Sequence, residues 1–303
     1  MSRALRALFL AATLAAFVSA EARSAAGPSS APPTGNSAAS ETLQEVTVTA
    51  ERLKKLARRV SKFVNQIADL ENAGGLPVWK EPVCPLVSGL SRQDSEFILE
   101  RVSDIASAAR VPLAHEHCRP NFFVIVTADP RAFLEKMDNR TRLLAFGGVA
   151  PRVIDEFIAT PRAVRVWYGS TEVDAWGMPL TGCQGVSING LPTGCGEGSH
   201  LVFNVIWKFS RVFVIADRAR LHGVTRGQLA DYVAMVGLAK LKPGAHLGDA
   251  PTILKLFEGA PQAAPAGMTD WDQTFLESLY ATEQRSILQR SQIARAMLRE
   301  IGH

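Results

Sequence analysis

The stretch Val224–Gly244, VTRGQLADYVAMVGLAKLKPG, constrains the fold of this chain more than any other. Thr225 followed three residues later by Gln228 is a capping-box pair, and Lys240, Lys242 and Pro243 close the far end, so the spacing predicts a helix. Leu229, Tyr232, Val233, Val236 and Leu238 recur at helical spacing. Ala230, Ala234 and Gly237 fall at i, i+4 and i+7, a face of small residues that lets another part of the chain approach closely. Such a helix is buried, and the rest of the domain has to be built around it.

The sequence before it supplies the other layers. Asn121–Thr127, NFFVIVT, is a continuously apolar, β-rich run suited to a central strand. Val83–Val87 and Val164–Tyr168 read as further strands. Helices are expected from Ser91, capped with Asp94, to about Ala109, and around Pro130–Met137 and Pro151–Ile158. His200–Asp217 holds two apolar runs separated by Lys208–Arg211, either a hairpin or one long bent strand, and leads directly into the helix. The alternation predicts an α/β class, with α+β as the alternative: a mixed sheet with flanking helices.

The buried helix resembles the active-site helix of zincin-type metallopeptidases, H-E-x-x-H-x-x-G-x-x-H, in which the helical His residues bind zinc and the Glu is the general base. With Gly237 on the motif glycine, Ala230 and Ala234 take the two helical His slots, Asp231 the Glu slot and Lys240 the third-ligand slot. Thr252-Ile253-Leu254 is similar to the S-x-M turn under the metal in some zincins, with Leu254 for Met. Met268–Ala281, MTDWDQTFLESLYA, is similar to the C-terminal helix of that group, L-S-x-x-D-…-L-Y. The resemblance covers roughly residues 200–281 and extends to uncharacterised exported bacterial proteins that carry a similar helix followed by a D-…-LY segment. It implies a zincin-like C-terminal half lacking the zinc ligands, with no metal and no cofactor: a pseudoenzyme that acts by binding an envelope protein or peptide. Asp231 and Lys240 then either border the vacated metal cleft or lie at the solvent edge. An exported hydrolase using a site around His200, His222 and Asp231 is the alternative.

The N-terminus reads as an export leader. Met1–Arg6 is positively charged, Ala7–Val18 is apolar and Val18-Ser19-Ala20 is a small-residue cleavage site, so residues 1–20 are expected to be a signal peptide. The apolar run is short for a membrane span of about 20 residues, and none is expected after cleavage. Residues 21–44 form an Ala-, Ser- and Pro-rich linker, disordered over Glu21–Thr42. An N-terminal α/β lobe over 45–160 and a zincin-like lobe over 161–303 follow. Glu45–Ala50, EVTVTA, resembles the TonB box of TonB-dependent outer-membrane receptors, which implies contact with TonB in linked uptake; otherwise it is a short edge strand. Leu53–Ala68 is amphipathic, with Leu53, Leu56, Val60, Phe63 and Ile67 on one stripe and a basic opposite side.

Four cysteines, Cys84, Cys118, Cys183 and Cys195, in an exported chain imply two disulfides. Cys183 and Cys195 bracket a Gly/Asn/Pro-rich loop suited to a local bridge, which leaves Cys84 to Cys118. His115 and His117 share a face if their segment is extended, but no third ligand accompanies them. Setting aside Arg3 and Arg6 leaves 31 basic side chains against 29 acidic, too small an excess for a nucleic-acid footprint. The expected location is periplasmic or secreted.

Overall fold

The computed structural model describes residues 37–70, 75–141, 144, 149–173, 187–188, 191–192, 206–283 and 288–302. The expected signal peptide, most of the linker, His200, Cys183 and Cys195 lie outside these residues. The chain divides into two compact units, Met1–Thr47 and Val48–His303.

In the second unit a four-stranded sheet has the order β1 (Pro85–Ser88), β2 (Phe122–Thr127), β6 (Ile206–Asp217), β3 (Val164–Val173). Strands β1, β2 and β6 are parallel, and β3 runs antiparallel along β6. Ser187–Ile188 (β4) and Leu191–Pro192 (β5) form a separate short ladder. The mixed sheet with flanking helices confirms the α/β expectation. The sheet draws strands from both sides of residue 160, since β2 pairs with β6, and Val48–His303 forms one compact unit.

The pleat of the strands supplies two apolar layers. Phe122, Val124 and Val126 of β2 join one buried cluster with Val212, Val214 and Ala216 of β6. Phe123 and Ile125 face the other way, with Phe213 and Ile215. Successive strand residues point to opposite faces, so a strand this apolar needs cover on both. The first face is covered by the part of α1 (Ser37–Ile67) from Leu56 onward, and by α2 (Arg92–Ala108), α5 (Arg226–Leu238), α6 (Asp270–Ala281) and α7 (Gln289–Ile301). The second is covered by α3 (Pro130–Thr141) and α4 (Pro151–Ala159). Of the expected segment His200–Asp217, the described part, Ile206–Asp217, is one strand that runs through Lys208–Arg211, not a hairpin. The register shifts between Gly169 and Ser170, skipping Ser210, which is how Phe209 and Val212 reach the same face of β6.

Two N-terminal expectations are corrected. Residues 37–44 are the start of α1, not linker, and Glu45–Ala50 is helical, not an edge strand. The β-branched Val and Thr residues have only a weak local preference, and extending an existing helix adds one hydrogen bond per residue. Further along α1, Val60, Phe63, Val64 and Ile67 are buried in the first cluster, while Lys54, Lys55, Arg58 and Lys62 are exposed. The amphipathic stripe therefore packs on its own domain.

Candidate functional site

Helix α5 starts as the sequence predicts. Thr225 Oγ1 accepts from Gln228 N at 3.1 Å, and Thr225 N donates to Gln228 Oε1 at 3.1 Å. The same Gln228 amide also donates to Pro261 O and Pro265 O, at 3.0 and 2.9 Å. A cap residue thus straps the chain beyond the 3₁₀ turn Ile253–Phe257 along the helix. The helix ends at Leu238, earlier than Gly244, because Leu241 leaves it to bridge Ala68.

The helix's last carbonyls lack intrahelical partners, as at any helix end, and here three aromatic side chains supply them. Tyr168 Oη donates to Val236 O at 2.9 Å, Trp79 Nε1 to Gly237 O at 3.0 Å, and Tyr280 Oη to Leu238 O at 2.8 Å. Tyr280 is the last residue of the D-…-LY segment, so that tyrosine has a structural function: it caps the buried helix. Burial pushes the phenols of Tyr168 and Tyr280 well above the ordinary range. Tyr232 is pushed up to about 12 for the same reason.

Ala230, Asp231 and Ala234 are buried and Lys240 is half-buried, and Asp231 and Lys240 engage different partners. Ala230 and Ala234 are fully buried within the first cluster. Asp231 is 2 % exposed, and both its oxygens are committed. Oδ1 accepts from Arg101 Nε at 2.6 Å; Oδ2 accepts from Met268 N at 2.6 Å and Arg101 Nη2 at 3.2 Å. Gly267 permits this approach, since a Cβ there would lie 2.5 Å from Oδ2. Lys240 pairs instead with Asp69, Nζ to Oδ2 3.6 Å. Asp231 therefore does not lie at the solvent edge. Arg101 was not identifiable from sequence, because it comes 130 residues before its partner and no local spacing marks it.

The two downstream stretches of the zincin resemblance are joined through Asp272. Its carboxylate accepts from Thr252 Oγ1 at 2.5 Å, Ile253 N at 2.8 Å and Thr269 N at 3.1 Å. Burial raises the pKa of Asp272, and these hydrogen bonds oppose the shift.

Zinc does not fit the motif positions. Buried methyl groups offer no lone pair, and the Lys240 ammonium is a donor only. Among the described residues, no group of three or more His, Cys, Asp or Glu side chains could hold a metal. His115 and His117 are exposed, and His117 has φ +61°, so this turn lacks the extended geometry that would align the pair. His222 is exposed as well.

Two clefts lie beside the helix. The larger, about 680 Å³, opens at its N-terminal end among Ser91, Arg218, Thr225 and Arg226. Its floor joins the ends of three strands. Gly89, at φ +85°, lies so close to Val126 that a Cβ would be 1.8 Å from its carbonyl oxygen, and Arg218 Nη2 donates to Gly89 O at 2.5 Å. The smaller, about 220 Å³, runs past Arg101 between Ile105, Met268 and Leu276. Ala230, Ala234 and Lys240 line neither.

Cys84 and Cys118 form a disulfide, as expected, with Cα atoms 6.0 Å apart. Among the described residues, no helix is long and apolar enough to cross a membrane. Comparison with protein-family models, with curated proteins and with solved structures returns no match for this chain.

Proposed function

We propose that the chain is an exported, non-catalytic binding protein of the cell envelope, periplasmic or secreted, whose C-terminal half is a zincin-like scaffold turned to structural use. The observation that carries this reading is the engagement of Asp231. A general base must reach a water, yet both oxygens of this carboxylate hold Arg101 and the Met268 amide inside the protein. Ala230 and Ala234 support it too, since they serve packing where the metallopeptidases place zinc ligands. The Cys84–Cys118 bridge suits an oxidising compartment.

The test is metal content and hydrolysis together. The mature protein, dialysed against zinc and then against zinc-free buffer, is expected to retain no stoichiometric zinc by elemental analysis. It is also expected to leave a mixed peptide library uncut. Stoichiometric zinc, or cleavage abolished by a chelator, would overturn the reading.

A further inference from the structure

Among the described residues, Arg165 carries a buried charge that no carboxylate pairs with directly. It lies on β3, two residues before Trp167 and on the same face of the strand, and is only 5 % exposed. Its Nε donates to Thr160 O at 2.9 Å, and Nη1 is buried without a partner. A guanidinium stays protonated at any ordinary pH, so it cannot escape burial by losing its proton. Burying a charge without pairing it is strongly unfavourable.

The charges acting on Arg165 are Asp217, Arg220, Arg162 and Asp129. Neither acid forms a hydrogen bond or ion pair with it among the described residues. Asp217 Oδ1 accepts from Ala219 N at 3.0 Å, and its Oδ2 lies 3.4 Å from Arg220 Nε. Asp129 Oδ1 accepts from Ala132 N at 2.9 Å, at the start of α3. Asp217 N donates to Ala163 O at 2.8 Å, which ties the end of β6 to the start of β3 and gathers the three arginines at one corner of the sheet. The corner adjoins the carboxyl ends of β2 and β6, the edge at which open α/β sheets commonly receive ligands.

We propose that this corner is a binding site for a small oxyanion, a phosphate or carboxylate group held by the Arg165 guanidinium through its unpartnered Nη1, with Arg162 and Arg220 on its solvent side. The planar fork of a guanidinium matches two oxygens of either group. The low exposure of Arg165 limits the occupant to a small group. The site rests on Arg165 and its neighbours alone, and stands whether or not the C-terminal half is zincin-like.

Thermal unfolding in a chloride buffer of matched ionic strength tests it, with inorganic phosphate and acetate titrated separately, because a ligand that binds only the folded state raises the midpoint saturably. A saturable rise with at least one of the two anions is expected. A response to phosphate alone identifies a phosphoryl ligand, and one to acetate alone a carboxylate. Arg165→Gln is expected to abolish the rise. Arg162→Gln with Arg220→Gln, at exposed positions that leave folding intact, is expected to weaken the apparent affinity at least fivefold. The proposal is overturned if neither anion exceeds the chloride control, or if the Arg162/Arg220 variant responds like the wild type. A full response in folded Arg165→Gln would overturn it as well.

Discussion

The ring of Phe122 on β2 lies against the backbone of Gly237 on α5, so closely that a Cβ on Gly237 would be 2.0 Å from Phe122 Cζ. The glycine of the zincin-like pattern is therefore a packing requirement of this chain. Gly237→Ala should gain up to about 1 kcal/mol of helix propensity but lose roughly 3 kcal/mol to overpacking. Urea unfolding should show a clear net loss. Phe122→Leu in the same background should recover part of it; if the two changes are merely additive, the contact is not the cause.

Asp231 and Arg101 make a chemically different tie, between α5 and α2. Asp231→Asn places amide hydrogens where two donors already point, and Arg101→Met leaves a carboxylate buried beside only one backbone donor. Each should cost roughly 2–4 kcal/mol, with Arg101 at the lower end because its side chain is 42 % exposed. Asp231→Leu combined with Arg101→Met removes both charges together and should be less destabilising than either single change. Equal or greater destabilisation in the double variant would show that the ion pair is not the source of the effect.

What could be read from the sequence, and what could not, follows the distance over which each interaction acts. The start of α5 was legible because Thr225 and Gln228 act within one turn, and β2 because five consecutive apolar residues, Phe122–Val126, mark it. The end of α5 was not, since Leu241 leaves the helix to bridge Ala68, far away in sequence. Nor were the candidate-site contacts: Tyr280 caps Leu238 across 42 residues and Arg101 meets Asp231 across 130. In Glu45–Ala50 the local pattern misled, because alternating Val and Thr gave way to the helix running through them.

The Cys84–Cys118 bridge closes a loop with a sequence separation of 34 that contains α2 and leads to β2. In the chain-entropy model a loop of that length is worth about 4 kcal/mol. Cys84→Ser with Cys118→Ser should lower stability by up to that amount. Asn121 limits the loss by continuing to hold the segment, its Oδ1 accepting from Cys84 N at 2.8 Å. Oxidised wild type and the double-serine variant with equal urea midpoints would contradict this.

The chain has three tyrosines, and burial raises the pKa of all of them: Tyr232 to about 12, Tyr168 and Tyr280 further. In the unfolded chain they ionise near the ordinary value of about 10. Between that value and about 12 the folded state holds protons that the unfolded state has lost, so stability must fall as pH rises. The slope per tyrosine is about 1.4 kcal/mol per pH unit, or roughly 4 for the three. The folded protein should therefore show no phenolate absorbance on raising the pH past 10, and then gain all three phenolates abruptly as it unfolds. Tyr280→Phe should make the loss of stability with pH shallower by a third. At neutral pH it should still cost roughly 1–3 kcal/mol, because Leu238 O is left without its donor. A gradual phenolate titration with a midpoint near 10 in protein that is still folded would show that these hydroxyls are not buried caps.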